Sequence, residues 1–372
     1  MLDIVNLESL ELLAEAALPR MVFDYIAGGG GDEWTLRENR EAFSRIQLMP
    51  RVLRGIVPRL ETTVLGTPIS FPVLVAPMAM HGLVCEEAEP ATARATAAAG
   101  TIMVASTVSN RTLEEIAESS RGPRWFQLYI YRDRGVTRDL VERARAAGYG
   151  AICLTVDTPL AGQRDRDKRN AFTMSPVLTL ANFAGHETPL GSLDDATNTS
   201  GLSTYIATRW DQTLTWDDVS WLREISPLPI VVKGILSPED AKLAVERGAA
   251  AIIVSNHGGR QLDGVPATIS VLRDVSNAVN GACEVLLDGG VRRGTDVLKA
   301  LALGARAVLL GRPVLWGLTL DGESGARAVL EHLRAETALA MGLAGCASVA
   351  ELSEDLIWRG ASAADPGSSG RS

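Results

Sequence analysis

An α/β chain closed into a (β/α)8 TIM barrel is the fold this sequence predicts, and three observations predict it. Eight short apolar runs rich in Val, Ile and Leu recur along the chain. Their hydrophobicity is continuous rather than alternating, as in parallel strands covered on both faces. Gly100, Gly148, Gly248 and Gly304 each lie a few residues before a run, where a helix ends on a left-handed residue. Helix, glycine, short link and strand is thus written four times, and closure of eight strands is the economical architecture.

In chain order, residues 1–70 form an N-terminal extension with an amphipathic helix and then the Gly28–Gly31 turn. Strands follow from Pro72 (PVLVAPMA), Ile102 (IMVAST), Trp125 (WFQLYIY) and Ala151 (AICLTVD). Four more start at Pro229 (PIVVKG), Ala251 (AIIVSNHG), Glu284 (EVLLDGG) and Ala307 (AVLLGRP). Most neighbouring runs are about 20 to 35 residues apart, but about 70 separate the fourth from the fifth. The excess, residues 160–215, contains a polar stretch with Asp194 and Asp195 and reads as a lid loop after strand 4. Residues 1–360 form a single barrel domain, and residues 361–372, small and polar, form a disordered tail.

Composition narrows the function. The 372 residues carry 36 Lys and Arg against 45 Asp and Glu, a net charge of −9, so no general attraction to nucleic acid or anionic lipid is expected. Cys85, Cys153, Cys283 and Cys346 form no C-x-x-C pair and read as reduced thiols. The first positive charge is Arg20, unlike a secretory signal, and no apolar run reaches the roughly 18 residues of a membrane helix. A cytoplasmic protein with no membrane contact is expected. With four histidines and no H-E-x-x-H, no metal site is expected either. The Gly28–Gly31 run does not match G-x-G-x-x-G.

Barrel strands aim their carboxyl ends at the active site, so the polar residue that stops each run is the candidate. These are Ser106, Gln127 with Tyr129, Thr155 with Asp157, Lys233, Ser255 with His257, Asp288, and Gly311 with Arg312. Side chains two apart on a strand share a face, so each such pair points into one mouth. His81 follows the first strand, His186 lies in the insertion and His332 in a late helix pattern. His257 alone ends a strand and is followed by Gly258-Gly259-Arg260, which pairs an imidazole base with a planar two-donor clamp for a carboxylate. Asp157 can orient that imidazole. The last two strands carry Asp288-Gly289-Gly290-Val291-Arg292-Arg293-Gly294 and Gly311-Arg312-Pro313, the place where barrels bind phosphate. A phosphate handle opposite an acid–base pair suggests a phosphorylated cofactor or a sugar phosphate. Lys233 either stabilises negative charge on that ligand or forms a Schiff base.

The run from Ser255 to Asp263 (SNHGGRQLD), with that from Leu287 to Gly294 (LDGGVRRG), resembles the FMN-dependent 2-hydroxy-acid oxidase and dehydrogenase family. Its members include glycolate, lactate and mandelate or hydroxymandelate oxidases, and the resemblance extends from Asp24-Tyr25 to about Ser353. It implies a flavin across the barrel mouth, contacted by Pro77, Met78, Ala79, Ser106, Gln127, Thr155, Lys233 and Ser255. Asp288, Gly289, Gly290, Val291, Arg292, Gly311 and Arg312 would hold the ribityl and phosphate end. The resemblance makes His257 the base and Asp157 its partner, with Arg260 and Arg164 as ligands of the substrate carboxylate. Tyr25 and Tyr129 would hydrogen-bond the carboxylate and the developing oxo group, and Lys233 would stabilise the reduced flavin. The implied reaction converts an L-(S)-2-hydroxy acid to the 2-oxo acid with reduction of O2 to hydrogen peroxide. Ala79 fits the oxidase pattern, since monooxygenase-type relatives carry glycine there. A homotetramer or homo-octamer is implied as well.

The chain departs from glycolate oxidases in the pocket: Val108 stands where they have tryptophan, Ala161 where they have leucine, and Gln163 where relatives often have a second arginine. Two trimmed walls predict a substrate larger than glycolate, such as mandelate, hydroxymandelate or a longer aliphatic 2-hydroxy acid. Met78 and Met80 can refill part of the space. The alternatives are a mandelate or lactate dehydrogenase that passes electrons to another acceptor, and a flavin-free isomerase or aldolase that uses Lys233. The polar insertion argues against the membrane-associated form of the first. A non-catalytic binding barrel conflicts with the set Tyr129, Asp157, Lys233, His257 and Arg260.

Overall fold

The computed structural model describes residues 2–172, 180–183 and 208–358. The expected tail at 361–372 lies outside these residues, as do His186, Asp194 and Asp195 of the expected lid. Residues 1–70 hold three helices rather than one: α1 (Leu7–Ala17), α2 (Arg20–Ala27) and α3 (Trp34–Ser44). Pro19, at the N-cap of α2, separates the first two, because proline cannot continue α1 through its missing N–H.

A hairpin that the hydrophobic pattern does not announce follows, β1 (Thr62–Val64) paired antiparallel with β2 (Thr67–Ile69). Its turn residues Leu65 and Gly66 both have positive φ, 46° and 75°, as tight two-residue hairpin turns require. Val64 and Ile69 are buried and pack with the barrel interior, closing its amino-terminal end like a plug. The Leu65 N–H donates to Glu284 Oε2 at 2.9 Å, and Arg306 Nε donates to the Thr63 carbonyl at 2.7 Å.

All eight expected runs are barrel strands: β3 (Val73–Val75), β4 (Met103–Ala105), β5 (Arg124–Leu128), β6 (Ile152–Thr155), β7 (Ile230–Ile235), β8 (Ala251–Val254), β9 (Glu284–Asp288) and β10 (Ala307–Leu310). They pair in parallel in chain order, and β10 pairs back to β3. The outer helices are α4 (Glu89–Ala98), α5 (Leu113–Glu118) and α6 (Arg134–Ala146), then, after α7 (Asp165–Arg169), α8 (Trp216–Ile225). They continue with α9 (Pro238–Glu246), α10 (Thr268–Val279), α11 (Gly294–Ala302) and α12 (Arg312–Ala344), the last broken by non-helical backbone at Asp321 and Gly322. The four cap glycines have φ of 71°, 77°, 76° and 106°, as expected of helix ends.

Of residues 160–215, the structure describes 160–172, 180–183 and 208–215. They contain α7 and a short turn at Ala181–Phe183, and Phe172, Leu180, Asn182 and Trp210 are buried.

Candidate active site

The barrel's own alternation delivers the site. Side chains that fill the interior are Ile102 and Val104, Trp125, Ala151 and Cys153, Val231, Ala251 and Ile253, Leu286, and Ala307 and Leu309. Continuing each strand two residues in phase gives Ser106, Gln127, Thr155, Lys233, Ser255, Asp288 and Gly311. The hydrophobic filling thus ends in a polar layer, and Tyr129, Asp157 and His257 lie one step further out.

His257 Nδ1 lies 2.9 Å from Asp157 Oδ1, so the carboxylate fixes one ring nitrogen and leaves Nε2 for a ligand. Thr158 Oγ1 donates to the same carboxylate oxygen at 3.0 Å, and Ser255 Oγ accepts from the His257 N–H at 3.1 Å. His257 has φ of 58°, a left-handed conformation that a non-glycine residue holds only where its surroundings demand it. Burial pushes the Asp157 carboxyl up, but His257 and Lys233 outweigh this and hold it below the ordinary aspartate value. An ionised Asp157 therefore favours the imidazolium that forms when His257 takes a proton.

Lys233 is buried, 2.9 Å from Ser255 Oγ and 3.2 Å from Asp288 Oδ2. Burial opposes its charge, but Asp288 and Asp157 raise it above the ordinary lysine value, so it remains an ammonium. A permanently charged Lys233 suits charge stabilisation and not Schiff-base chemistry, which needs a neutral amine. Burial, then the Asp157 carboxylate, raises the Tyr129 phenol well above its usual value and keeps it a neutral hydrogen-bond donor.

A second group of charges faces these. Burial and Arg164 pull Arg260 down to about 10, burial with Arg260 and Arg292 pulls Arg312 down to about 9, and burial and Arg40 pull Arg292 down to about 10. All three stay charged at neutral pH, and their mutual repulsion marks a concave positive site that favours anions. The guanidinium carbons of Arg164 and Arg260 lie 5.3 and 5.2 Å from the centre of the Tyr25 ring. Arg260 Nη1 is also held by the carbonyls of Tyr25, Ile26 and Gly28. Arg312 directs Nε, Nη1 and Nη2 to the carbonyls of Ile26, Gly258 and Gly28, so it braces the extension against the barrel as well as supplying charge.

One cavity, with about 1300 Å³ of empty space including its mouth, gathers nearly every candidate. Tyr25, Tyr129, Arg164, His257, Arg260, Val108 and Ala161 line it with Lys233. So do Pro77, Met78, Ala79, Ser106, Gln127, Thr155, Asp288, Gly289, Gly290, Val291, Arg292, Gly311 and Arg312. Asp157 and Ser255 are not on the wall; they stand behind it and support His257 and Lys233. Thr158, Gln261 and Trp210 line the wall without having been singled out in the sequence. Gln261 Nε2 donates to the carbonyls of Asp157 and Leu160, tying the loop after β6 to the loop after β8. The SNHGGRQLD run itself contained a signal for Gln261. Trp210 had none, because it sits in a segment read as polar.

Residues 14–359 match the family described as FMN-dependent dehydrogenase. The chain belongs to that family. It is 52% identical over 365 residues to the glycolate oxidase of Spinacia oleracea, covering 97% of this chain and 98% of that one. It is 53% identical over 360 residues to the L-lactate oxidase of Nostoc sp., covering 95% and 98%. Among solved structures, a mandelate oxidase with (S)-4-hydroxymandelic acid superposes with a TM-score of 0.90 at 44% identity, covering 95% and 98%. The chain is thus an FMN enzyme of the 2-hydroxy-acid oxidase class.

The cavity fits FMN on its own chemistry. Gln127 Nε2, Thr155 Oγ1, Asp288 Oδ1 and Arg292 Nε are buried lining atoms without a hydrogen-bond partner among the described residues, a mixed donor and acceptor set awaiting a polar ligand. At the β9–α11 turn, Gly289 and Gly290 have φ of 93° and 85°, and a Cβ on Gly290 would stand 1.9 Å from the Asn39 carbonyl oxygen. Glycine is obligatory there, and the turn leads to the N-terminus of α11, a favourable place for phosphate.

Proposed function

We propose that the enzyme oxidises an (S)-2-hydroxy acid with a side chain larger than that of glycolate to its 2-oxo acid, with O2 as acceptor and hydrogen peroxide as product. The observation that carries this reading is the joint placement in one cavity of the Asp157-held His257 and of Arg164 and Arg260 beside the Tyr25 ring. In that cavity the residues at positions 108 and 161 are small. The relatives act on glycolate, lactate and mandelate by name, so the preference for a larger side chain rests on Val108 and Ala161 alone.

Arg260 and Arg164 hold the substrate carboxylate by charge-assisted hydrogen bonds, with Tyr25 beside them. That anchor sets the α-carbon relative to His257, whose Nε2 takes the proton while Asp157 stabilises the resulting imidazolium. The neutral Tyr129 donates to the oxygen that becomes the carbonyl. Gln127, Thr155 and Asp288 would hold the flavin ring and ribityl chain, and Arg292, with the Gly289–Gly290 turn, the phosphate. When bound, FMN supplies the two-electron acceptor that O2 regenerates. Lys233, a charged group on the same wall, would stabilise negative charge on the reduced flavin. A homotetramer or homo-octamer belongs to the same reading, supported by the resemblance, and a cytoplasmic location is supported by the sequence features above; light scattering on the purified enzyme tests the assembly.

The test is the visible spectrum of the purified holoenzyme after anaerobic addition of (S)-mandelate, (S)-2-hydroxyoctanoate, (S)-lactate or glycolate, followed by air. Fastest bleaching by one of the larger acids, with recovery in air, is expected. Fastest bleaching by glycolate refutes the larger substrate, and bleaching without rapid recovery refutes O2 as acceptor.

A further inference from the structure

The catalytic groups and the cofactor account for most polar atoms of the cavity wall, but not for Trp210. It is 3% exposed and lines the cavity, as do Val108, Ala161 and Tyr129. Its ring stacks on Tyr129 with centroids 3.7 Å apart and planes at 19°. The backbone is fixed by Asp211 N–H to the Ile130 carbonyl at 2.9 Å, Arg132 N–H to the Arg209 carbonyl at 3.0 Å, and Arg132 Nε to the Trp210 carbonyl at 3.2 Å. The indole therefore has little freedom to turn. Its Nε1 is buried and has no acceptor among the described residues. Trp316 has a buried unpaired Nε1 too, but it does not line the cavity, so no ligand there can reach it.

We propose that Trp210 is a specificity-determining residue whose indole N–H donates a hydrogen bond to an oxygen on the substrate's side chain. The preferred 2-hydroxy acids then carry an acceptor in that side chain instead of plain hydrocarbon. The inference rests on the larger-substrate reading above, since the side chain of glycolate, a single hydrogen, carries no acceptor for the indole. The carboxylate of such an acid is taken by Arg164 and Arg260, and its hydroxyl by His257 and Tyr129. What is left to satisfy the Trp210 donor is the far end of the molecule. A buried N–H without a partner is penalised, and a ligand oxygen removes the penalty. An ether oxygen facing an apolar wall would instead lose its hydration for nothing.

The test uses (S)-mandelates bearing a methoxy or an ethyl group at ring position 3 or 4, which match in size and differ in one acceptor. In the holoenzyme the methoxy acid should exceed the ethyl acid in kcat/KM by about tenfold at one of the two positions. Trp210→Phe, which keeps a ring against Tyr129 but removes the N–H, should bring that ratio close to one, and Trp210→His, which restores an N–H, should recover part of it. Dissociation constants of the matching methoxy- and ethyl-phenylacetates, followed by perturbation of the flavin absorbance, should differ in the same way without turnover. Equal ratios in the wild type at both positions, or a preference that survives in Trp210→Phe, overturn the role of Trp210. If neither a mandelate nor (S)-2-hydroxyoctanoate bleaches the flavin, the larger-substrate reading fails on its own. The phenylacetate pair still decides on Trp210, with equal or undetectable binding counting against it.

Discussion

His257 is the residue on which the chemistry turns, and it was legible because a strand-ending histidine before two glycines and an arginine is an unusual juxtaposition. His257→Ala is expected to retain the flavin spectrum while flavin reduction by substrate falls by about 10²- to 10⁴-fold, measured by anaerobic stopped flow. Asp157 gives a pH prediction with a definite sign. Its carboxyl is held below the 3.8 of an ordinary aspartate in the folded protein, so the unfolded chain binds the proton more tightly. The stability it contributes is present above about pH 4 and is lost as pH falls through the lower folded value. Urea midpoints of Asp157→Asn should therefore be lower than wild type near neutrality and fall less steeply with acid. Trp210 was illegible at this scale, since one aromatic in a polar stretch has no local pattern that assigns it to a wall.

Between elements, the site depends on joints that link distant segments. Arg166 of α7 pairs with Asp24 of α2 at 3.2 Å and Glu33 at 2.6 Å, while Asn170 also donates to Asp24 at 2.8 Å. The same joint stacks Phe172 on Tyr25, with centroids 4.4 Å apart. Arg166→Ala should loosen Tyr25 and Arg164 together and raise KM for a 2-hydroxy acid several-fold, with a smaller change in kcat, in steady-state assays. The β9–α11 turn is the other joint. Gly290→Ala would force a Cβ against the Asn39 carbonyl at a φ of 85° and should cost about 3 kcal/mol, with loss of bound flavin, read by urea unfolding and flavin stoichiometry. The motif DGGVRRG announced that turn. Nothing local announced that α3 would press on it, because Asn39 is remote in sequence.

Over the whole molecule, chemistry and stability are segregated to opposite ends of the barrel. The polar layer from Ser106 to Gly311 faces the active mouth, whereas the β1–β2 hairpin seals the other end with Val64 and Ile69. Val64→Ala and Ile69→Ala should each cost about 1 to 4 kcal/mol by urea unfolding while leaving kcat/KM within about twofold. The hairpin escaped the sequence reading because its strands are three residues each, too short for periodicity to register. Local chemistry by itself determined the eight strands, their parallel pairing and the polar stops at their ends. Continuous apolar runs, left-handed glycines and in-phase alternation are properties of neighbouring residues, which the chain records directly. Only the tertiary structure decided which stops form the wall and which stand behind it. It also decided that Lys233 stays charged between two carboxylates, and that Trp210 closes against Tyr129. Those outcomes depend on burial and on distances between segments far apart in the chain, and both come into being only when the barrel closes.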